Sequence, residues 1–185
     1  MTLEIEKSIE TLESGDILLY PTDTVWGLGC DATNEEAVKK VYALKERAES
    51  KSLVILVDSL DMLNDYIRYI PEEALRLLNS LEKPTTIIYE HKQGLANNMI
   101  AADNTIAVRI PNHQFCRDLI TQFGKPIVST SANKSGSETP KSFDEIDSAI
   151  LKGVDYIVNL EREHVSLKAS TILKLIGDEV QVIRA

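Results

Sequence analysis

Two cysteines and three histidines are all that this 185-residue chain offers as soft metal ligands. Cys30 and Cys116 are too few for a disulfide framework and lack metal-type partners, so both are expected as buried, reduced thiols. His91, His113 and His164 are scattered and form no H-x-x-x-H pair, which argues against a zinc site. No apolar run approaches the roughly 20 residues of a membrane span. The stretch Met1–Ser14 is acidic and has no apolar core of a signal peptide, so a cytoplasmic chain with no membrane partner is expected. A P-loop is missing too, because Gly124-Lys125 is followed by Pro126. Bases are in deficit, 20 against 29 acids, for a net charge of −9. Broad non-specific nucleic-acid binding needs many Lys and Arg contacts to phosphates and is disfavoured; a local basic groove is not.

What is present suits a globular α/β protein. The length fits one domain over residues 1–185, and the 43% apolar and 26% charged fractions are those of a packed soluble chain. Helical spacing marks Ile5–Leu12, and Thr33-Asn34-Glu35-Glu36 reads as a capping box opening a helix to about Lys45. Leu60–Tyr69 and Pro71–Leu81 are helical, with Pro71 suited to a first helical position. Asn112 is placed to cap a helix through Phe123 that stops at Gly124, and Ser142-Phe143-Asp144-Glu145 reads as a second capping box opening a helix to Lys152. Strands are expected at Ile17–Tyr20, Leu53–Val57, Thr85–Tyr89, Thr105–Ile110, Pro126–Thr130, Tyr156–Leu160, Thr171–Leu175 and Val180–Ile183, the last two joined by a hairpin turn at Gly177-Asp178. Interleaved strands and helices predict a single α/β domain with a twisted mixed β-sheet flanked by helices.

The least ordinary stretch is Leu19-Tyr20-Pro21-Thr22-Asp23-Thr24-Val25-Trp26-Gly27-Leu28-Gly29. A strand stopped by Pro21 gives way to hydroxyls, exposed backbone N–H groups and glycines that permit positive φ or close approach to a ligand. A tight connection under the next helix accounts for it equally. Gly27-Leu28-Gly29-Cys30-Asp31-Ala32 also satisfies G-x-G-x-x-A, but a dinucleotide fingerprint needs its first glycine directly after the strand, and here six residues intervene. Lys45-Glu46-Arg47 ends a helix, where bases favour the dipole without any ligand. Arg109, inside the apolar run Val108–Pro111, must reach a carboxylate, a phosphate or solvent, because an unpaired buried arginine is costly. Ser129-Thr130-Ser131-Ala132-Asn133 sets hydroxyls and an amide directly after a strand, at an edge where α/β proteins hold ligands, although the same residues form ordinary turns.

Tyr20–Gly29, Lys45-Glu46-Arg47, Ala107-Val108-Arg109-Ile110-Pro111, Ser131-Ala132-Asn133 and Ser170-Thr171-Ile172 together, in this order and over nearly the whole chain, resemble the YrdC/Sua5/TsaC family of threonylcarbamoyl-adenylate synthases. The chain departs from that pattern after Arg47, where Ala48 and Lys51-Ser52-Leu53 replace Pro and Asn-Pro-Leu, and at Glu82–Thr86. The resemblance implies the short, TsaC-like form and a reaction of L-threonine, bicarbonate or CO2, and ATP to threonylcarbamoyl-adenylate and pyrophosphate, with Mg2+ accompanying the triphosphate. The product supplies t6A at tRNA position 37 through a hand-off to transferase machinery, and contact with tRNA or double-stranded RNA is implied as a possible second role. By the same resemblance Thr22, Thr24, Arg109, Ser129 and Ser170 hold threonine. Lys45, Arg47, Thr105, Ser131, Asn133, Thr139 and Arg184 hold ATP, with Lys45, Arg47 and Arg109 as the catalytic cations and Trp26 as an apolar wall. A noncatalytic RNA-binding or ribosome-associated factor on the same fold is the alternative.

Overall fold

The computed structural model describes residues 1–49, 53–80, 83–166, 170–176 and 179–184. In chain order these form α1 (Thr2–Glu13), β1 (Leu18–Tyr20), β2 (Gly27–Gly29), α2 (Glu35–Leu44), β3 (Val54–Leu56), α3 (Leu60–Tyr66), α4 (Glu72–Ser80), β4 (Thr85–Glu90) and β5 (Thr105–Arg109). There follow α5 (Gln114–Phe123), β6 (Ile127–Ser131), α6 (Ser148–Gly153), β7 (Tyr156–Ile157), β8 (Thr171–Ile176) and β9 (Glu179–Arg184). The described strands make one nine-stranded sheet in the order β7-β1-β2-β6-β3-β5-β4-β8-β9. It is mixed, as expected: β1–β7, β3–β5 and β4–β8 are parallel and the remaining neighbours antiparallel. The turn expected at Gly177-Asp178 lies outside the described residues.

Local chemistry moves three expected helix starts. Asn34, not Thr33, caps α2, its side chain accepting from the N–H groups of Glu36 and Ala37. Thr33 is already taken, its hydroxyl donating to Asp31 at 2.6 Å. At the second capping box, Glu145 accepts instead from the Lys141 N–H at 2.7 Å, and Phe143–Glu145 is a single 3-10 turn. The helix itself starts later, at Ser148, capped by Asp147. The Asn112 side-chain oxygen faces Arg117 at 3.5 Å, its N–H donates to Asp23, and His113 takes the cap position of α5. Gly124 does end α5, at φ +73°.

The unforeseen element is β2, inside the glycine-rich stretch. Gly27 and Gly29 are strand residues with the Tyr20 ring of β1 laid across them, and the Tyr20 hydroxyl donates to the Val128 carbonyl at 2.9 Å. A Cβ on Gly29 would sit 2.5 Å from that same carbonyl and 2.7 Å from the Tyr20 ring. The glycines therefore serve a close approach, but to a core tyrosine and not to a dinucleotide.

Strand alternation splits the core between the two sheet faces. Leu28, Ile55, Ile106, Val108 and Val128 point to one face, which α2 covers with Ala37, Val38, Val41 and Tyr42. Leu18, Tyr20, Leu56 and Ile127 point to the other, under α1 (Ile5, Leu12) and α5 (Phe115, Cys116, Leu119, Ile120). Cys30 and Cys116 are buried free thiols on opposite faces, and burial pushes both up from the ordinary thiol range. On the second face the helical cover stops short. Val54 and Ser129, two residues along β3 and β6 from Leu56 and Ile127, line an open cavity instead, with Ala107 beside them on β5.

Gly29→Ala is expected to cost about 2–3 kcal/mol of stability, because a backbone carbonyl and a packed ring must both move. Gly124→Ala, whose Cβ would meet nothing within 4 Å, should cost about 1 kcal/mol for its positive φ alone. Urea denaturation of the two variants checks the order.

Candidate active site

The cavity on the uncovered face has a volume of about 360 Å³. Sheet residues form its floor: Val54, Thr86, Ile88, Ala107, Arg109, Ser129, Ser131 and Ile172. Thr24 to Gly27, Arg47, Thr139, Ser170, Ile183 and Arg184 close its sides. No aspartate or glutamate among the described residues lines it. Three arginines and several hydroxyls therefore face a common space, an arrangement suited to an anionic ligand with many oxygens.

Each arginine is positioned differently. Arg109 leaves the end of β5 and is 4% exposed; its guanidinium is ion-paired with Asp23 and donates to the Thr24 hydroxyl at 3.4 Å. The partner that the buried strand arginine required is thus a carboxylate of the β1–β2 loop. Arg184, at the end of β9, donates to the Ser170 carbonyl at 2.7 and 3.1 Å. Ser170 in turn shares a hydrogen bond of 2.9 Å with the Thr86 hydroxyl on β4. Arg47 reaches the cavity through a sharp turn at the end of α2, where Glu46 adopts a left-handed φ of +50° and pairs with Lys134.

That turn separates Lys45 from Arg47. Lys45 is 2% exposed, is not on the cavity lining, and donates its ammonium protons to the carbonyls of Ser131 and Asn133. Its own carbonyl accepts from the Ser135 N–H at 2.7 Å. Lys45 therefore clamps the Ser131–Ser135 loop to α2. Burial, and secondarily the charge of Arg47, brings its ammonium down to about 8.

Of the residues singled out in the sequence, Thr24, Arg47, Arg109, Ser129, Ser131, Thr139, Ser170 and Arg184 meet at the cavity. Trp26 is a wall of it, tilted against Phe143 with ring centroids 5.0 Å apart. Lys45, Thr22, Thr105 and Asn133 stand off the lining. The Thr22 hydroxyl donates to the Val25 carbonyl at 2.8 Å and accepts from the Thr24 N–H at 3.0 Å, so it shapes the loop that presents Thr24. Thr105 shares the face of Arg109 but donates to Asp103 at 2.6 Å. The Asn133 amide donates to the carbonyls of Lys134 and Ser137, again within the loop. Asp23 and Thr86 were missed as site residues. The demand of Arg109 for an acid pointed to the first, whereas Thr86 has no signal beyond its place in a strand. Part of the altered segment after Arg47, Lys51-Ser52, lies outside the described residues, as does Ala169.

Comparison with known proteins decides the family. A Sua5/YciO/YrdC family model, described as telomere recombination, matches residues 10–185. The chain belongs to the Sua5/YciO/YrdC family. It is 37% identical to a Methanocaldococcus jannaschii protein over 98% of this chain and 86% of that one. It is 35% identical to the threonylcarbamoyl-AMP synthase of Pseudoalteromonas translucida over 84% of each chain. Among solved structures, P. abyssi Sua5 complexed with L-threonine superposes with a TM-score of 0.83 at 28% identity, covering 92% of this chain and 50% of that one. The chain therefore spans about half the length of that Sua5 protein.

The clamp makes a pH signature. An ammonium held below its ordinary value is a burden on the folded state while charged, and the unfolded chain binds the extra proton between about 8 and the ordinary lysine value of 10.5. Lys45 should therefore add stability to the wild type as pH rises through that window. The stability of the wild type minus that of Lys45→Met, from urea midpoints at pH 7 to 10.5, is expected to increase with pH; a flat difference would place Lys45 in a solvated setting.

Proposed function

We propose that this Sua5/YciO/YrdC-family chain is an L-threonylcarbamoyladenylate synthase, a nucleotidyltransferase that forms threonylcarbamoyl-AMP and pyrophosphate from L-threonine, bicarbonate or CO2, and ATP. The observation that carries the reading is the convergence of Arg47, Arg109 and Arg184 with the hydroxyls of Thr24, Thr86, Ser129, Ser131 and Ser170 in a cavity that no carboxylate among the described residues lines. The names and bound ligand of the relatives supply the substrates: a threonylcarbamoyl-AMP synthase and a Sua5 complexed with L-threonine.

In this reading Arg109 receives the threonine carboxylate, with Thr24, Ser129 and Ser170 around the rest of the amino acid. Arg47, Arg184, Ser131 and Thr139 face the triphosphate. Lys45 and Asn133 act on it through the loop they hold, and Thr22 acts through Thr24. The free threonine amine captures CO2 and gives up a proton to water, leaving a carbamate whose oxygen attacks the α-phosphorus while the bond to pyrophosphate breaks. Two anionic reactants have to approach one another in that step. The fixed guanidiniums lower the repulsion and need no reorganisation as charge shifts to the leaving group, so catalysis is mainly positioning and electrostatic stabilisation. The donor set does not fit a protein-held Mg2+, since hydroxyls and guanidiniums line the cavity and no acid among the described residues does. Mg2+ would enter on the phosphates and water. The product serves t6A formation in tRNA through a hand-off to a transferase in a cytoplasmic setting. No described helix is long and apolar enough to cross a membrane.

The purified chain should release pyrophosphate from ATP only when L-threonine and bicarbonate are both present, with L-serine a much poorer substrate. Release that ignores threonine would sink the reading. Arg109→Lys keeps a charge opposite Asp23 but loses the planar fork, and is expected to lower threonine-dependent release by about 100-fold or more. A variant within about threefold of wild type would remove Arg109 from the site.

A further inference from the structure

We propose that Asp23 is the positioning residue for Arg109: it fixes which edge of the guanidinium faces the cavity and thereby sets the affinity for the carboxylate of the amino-acid substrate. The inference rests on the synthase reading and adds to it a residue that touches no substrate.

Arg109 has a long side chain with several rotatable bonds, yet only two polar contacts hold its head among the described residues. One is the Thr24 hydroxyl at 3.4 Å, near the outer limit of a hydrogen bond; the other is the Asp23 carboxylate. The acid therefore does most of the orienting. Asp23 is itself fixed, being 10% exposed and accepting from the Asn112 N–H at 3.0 Å through its second oxygen. Asn112 lies three residues beyond Arg109, just after Pro111, so the β1–β2 loop is docked through its acid onto the end of the strand that carries the arginine.

The two partners face different spaces. Arg109 lines the cavity of about 360 Å³, whereas Asp23 lines a second cavity of about 580 Å³ behind it, together with Ser59, Asn112 and Arg117. The pair is a partition, with the acid on the far side and guanidinium on the near side. A guanidinium has five N–H donors, so engagement by Asp23 on one edge leaves donors for a carboxylate arriving from the cavity. Asp23 is not on the lining of that cavity and both of its oxygens are engaged, so it acts through Arg109 and takes no proton in the reaction.

Charge and orientation predict opposite effects for loss of this acid. Removing a competing negative charge would tighten the hold of Arg109 on a substrate carboxylate. Releasing the guanidinium from its clamp would weaken it, because ordering the head then falls on the substrate. With one weak contact left, orientation dominates.

The test is steady-state pyrophosphate release by the full chain. Asp23→Asn is expected to raise KM for L-threonine by about tenfold or more, with kcat and KM for ATP within about threefold. A general loss of structure would move all three. Asp23→Glu restores the charge and should recover at least half of the lost threonine affinity on a logarithmic scale; it also decides the matter if Asp23→Asn does not fold. A KM for threonine that falls or stays unchanged in Asp23→Asn, or a Glu variant that rescues nothing, overturns the inference while the synthase reading stands. Wild-type protein that shows no threonine-dependent release overturns both.

Discussion

An apolar sheet must be covered, and this one is left open where the cavity lies. Everything at the site follows from where the cover ends. Helices α1 and α5 seal Leu18, Tyr20, Leu56 and Ile127, and then stop. One residue pair further along β3, β5 and β6, the same face carries Val54, Ala107 and Ser129, which line the cavity. Arg109 stands at the boundary, paired across the sheet with Leu56. Its aliphatic stem lies beside the sealed half, and its head turns to an acid and the open half. A hydrophobic side chain there would have invited more cover; an unpaired cation would have been expensive to enclose. The Asp23 carboxylate removes that expense without filling the space.

Much of this was legible in the sequence, because the decisive residues are of types that physical chemistry constrains strongly. The apolar runs placed most of the strands, Gly124 placed a helix end, and Arg109 announced a partner before any partner was known. The misreadings of the helix starts share a cause, which is competition for a donor or acceptor by groups outside the helix. Thr33 caps nothing and its hydroxyl donates to Asp31, and the Asn112 side-chain oxygen accepts from Arg117 in place of a helix N–H. The glycines of β2 resemble a ligand loop locally, and only the Tyr20 ring on the neighbouring strand gives them their meaning. Lys45 and Arg47 are two residues apart and chemically alike, so nothing local separates them. The left-handed turn at Glu46 sends one into a backbone clamp and the other to the cavity wall.

The charge distribution has its own logic. In a chain of net charge −9, several cations on the outer surface are matched by nearby acids: Lys39 with Glu35 and Glu36, Lys40 with Asp16, Arg68 with Glu90, Arg76 with Glu72 and Lys174 with Asp103. Such exposed pairs contribute little to stability. Their larger consequence is that they cancel the positive field outside the site. The cavity lining, by contrast, carries Arg47, Arg109 and Arg184 and no acid among the described residues, and the carboxylate paired with Arg109 stands behind it in another space. A concave site with low-dielectric walls focuses what field remains, so a small polyanion is drawn to this one place while an extended polyanion meets an acidic surface elsewhere. An excess of acids over bases is therefore what makes three arginines selective, since the same cavity in a basic chain would compete with its own exterior for every phosphate in reach.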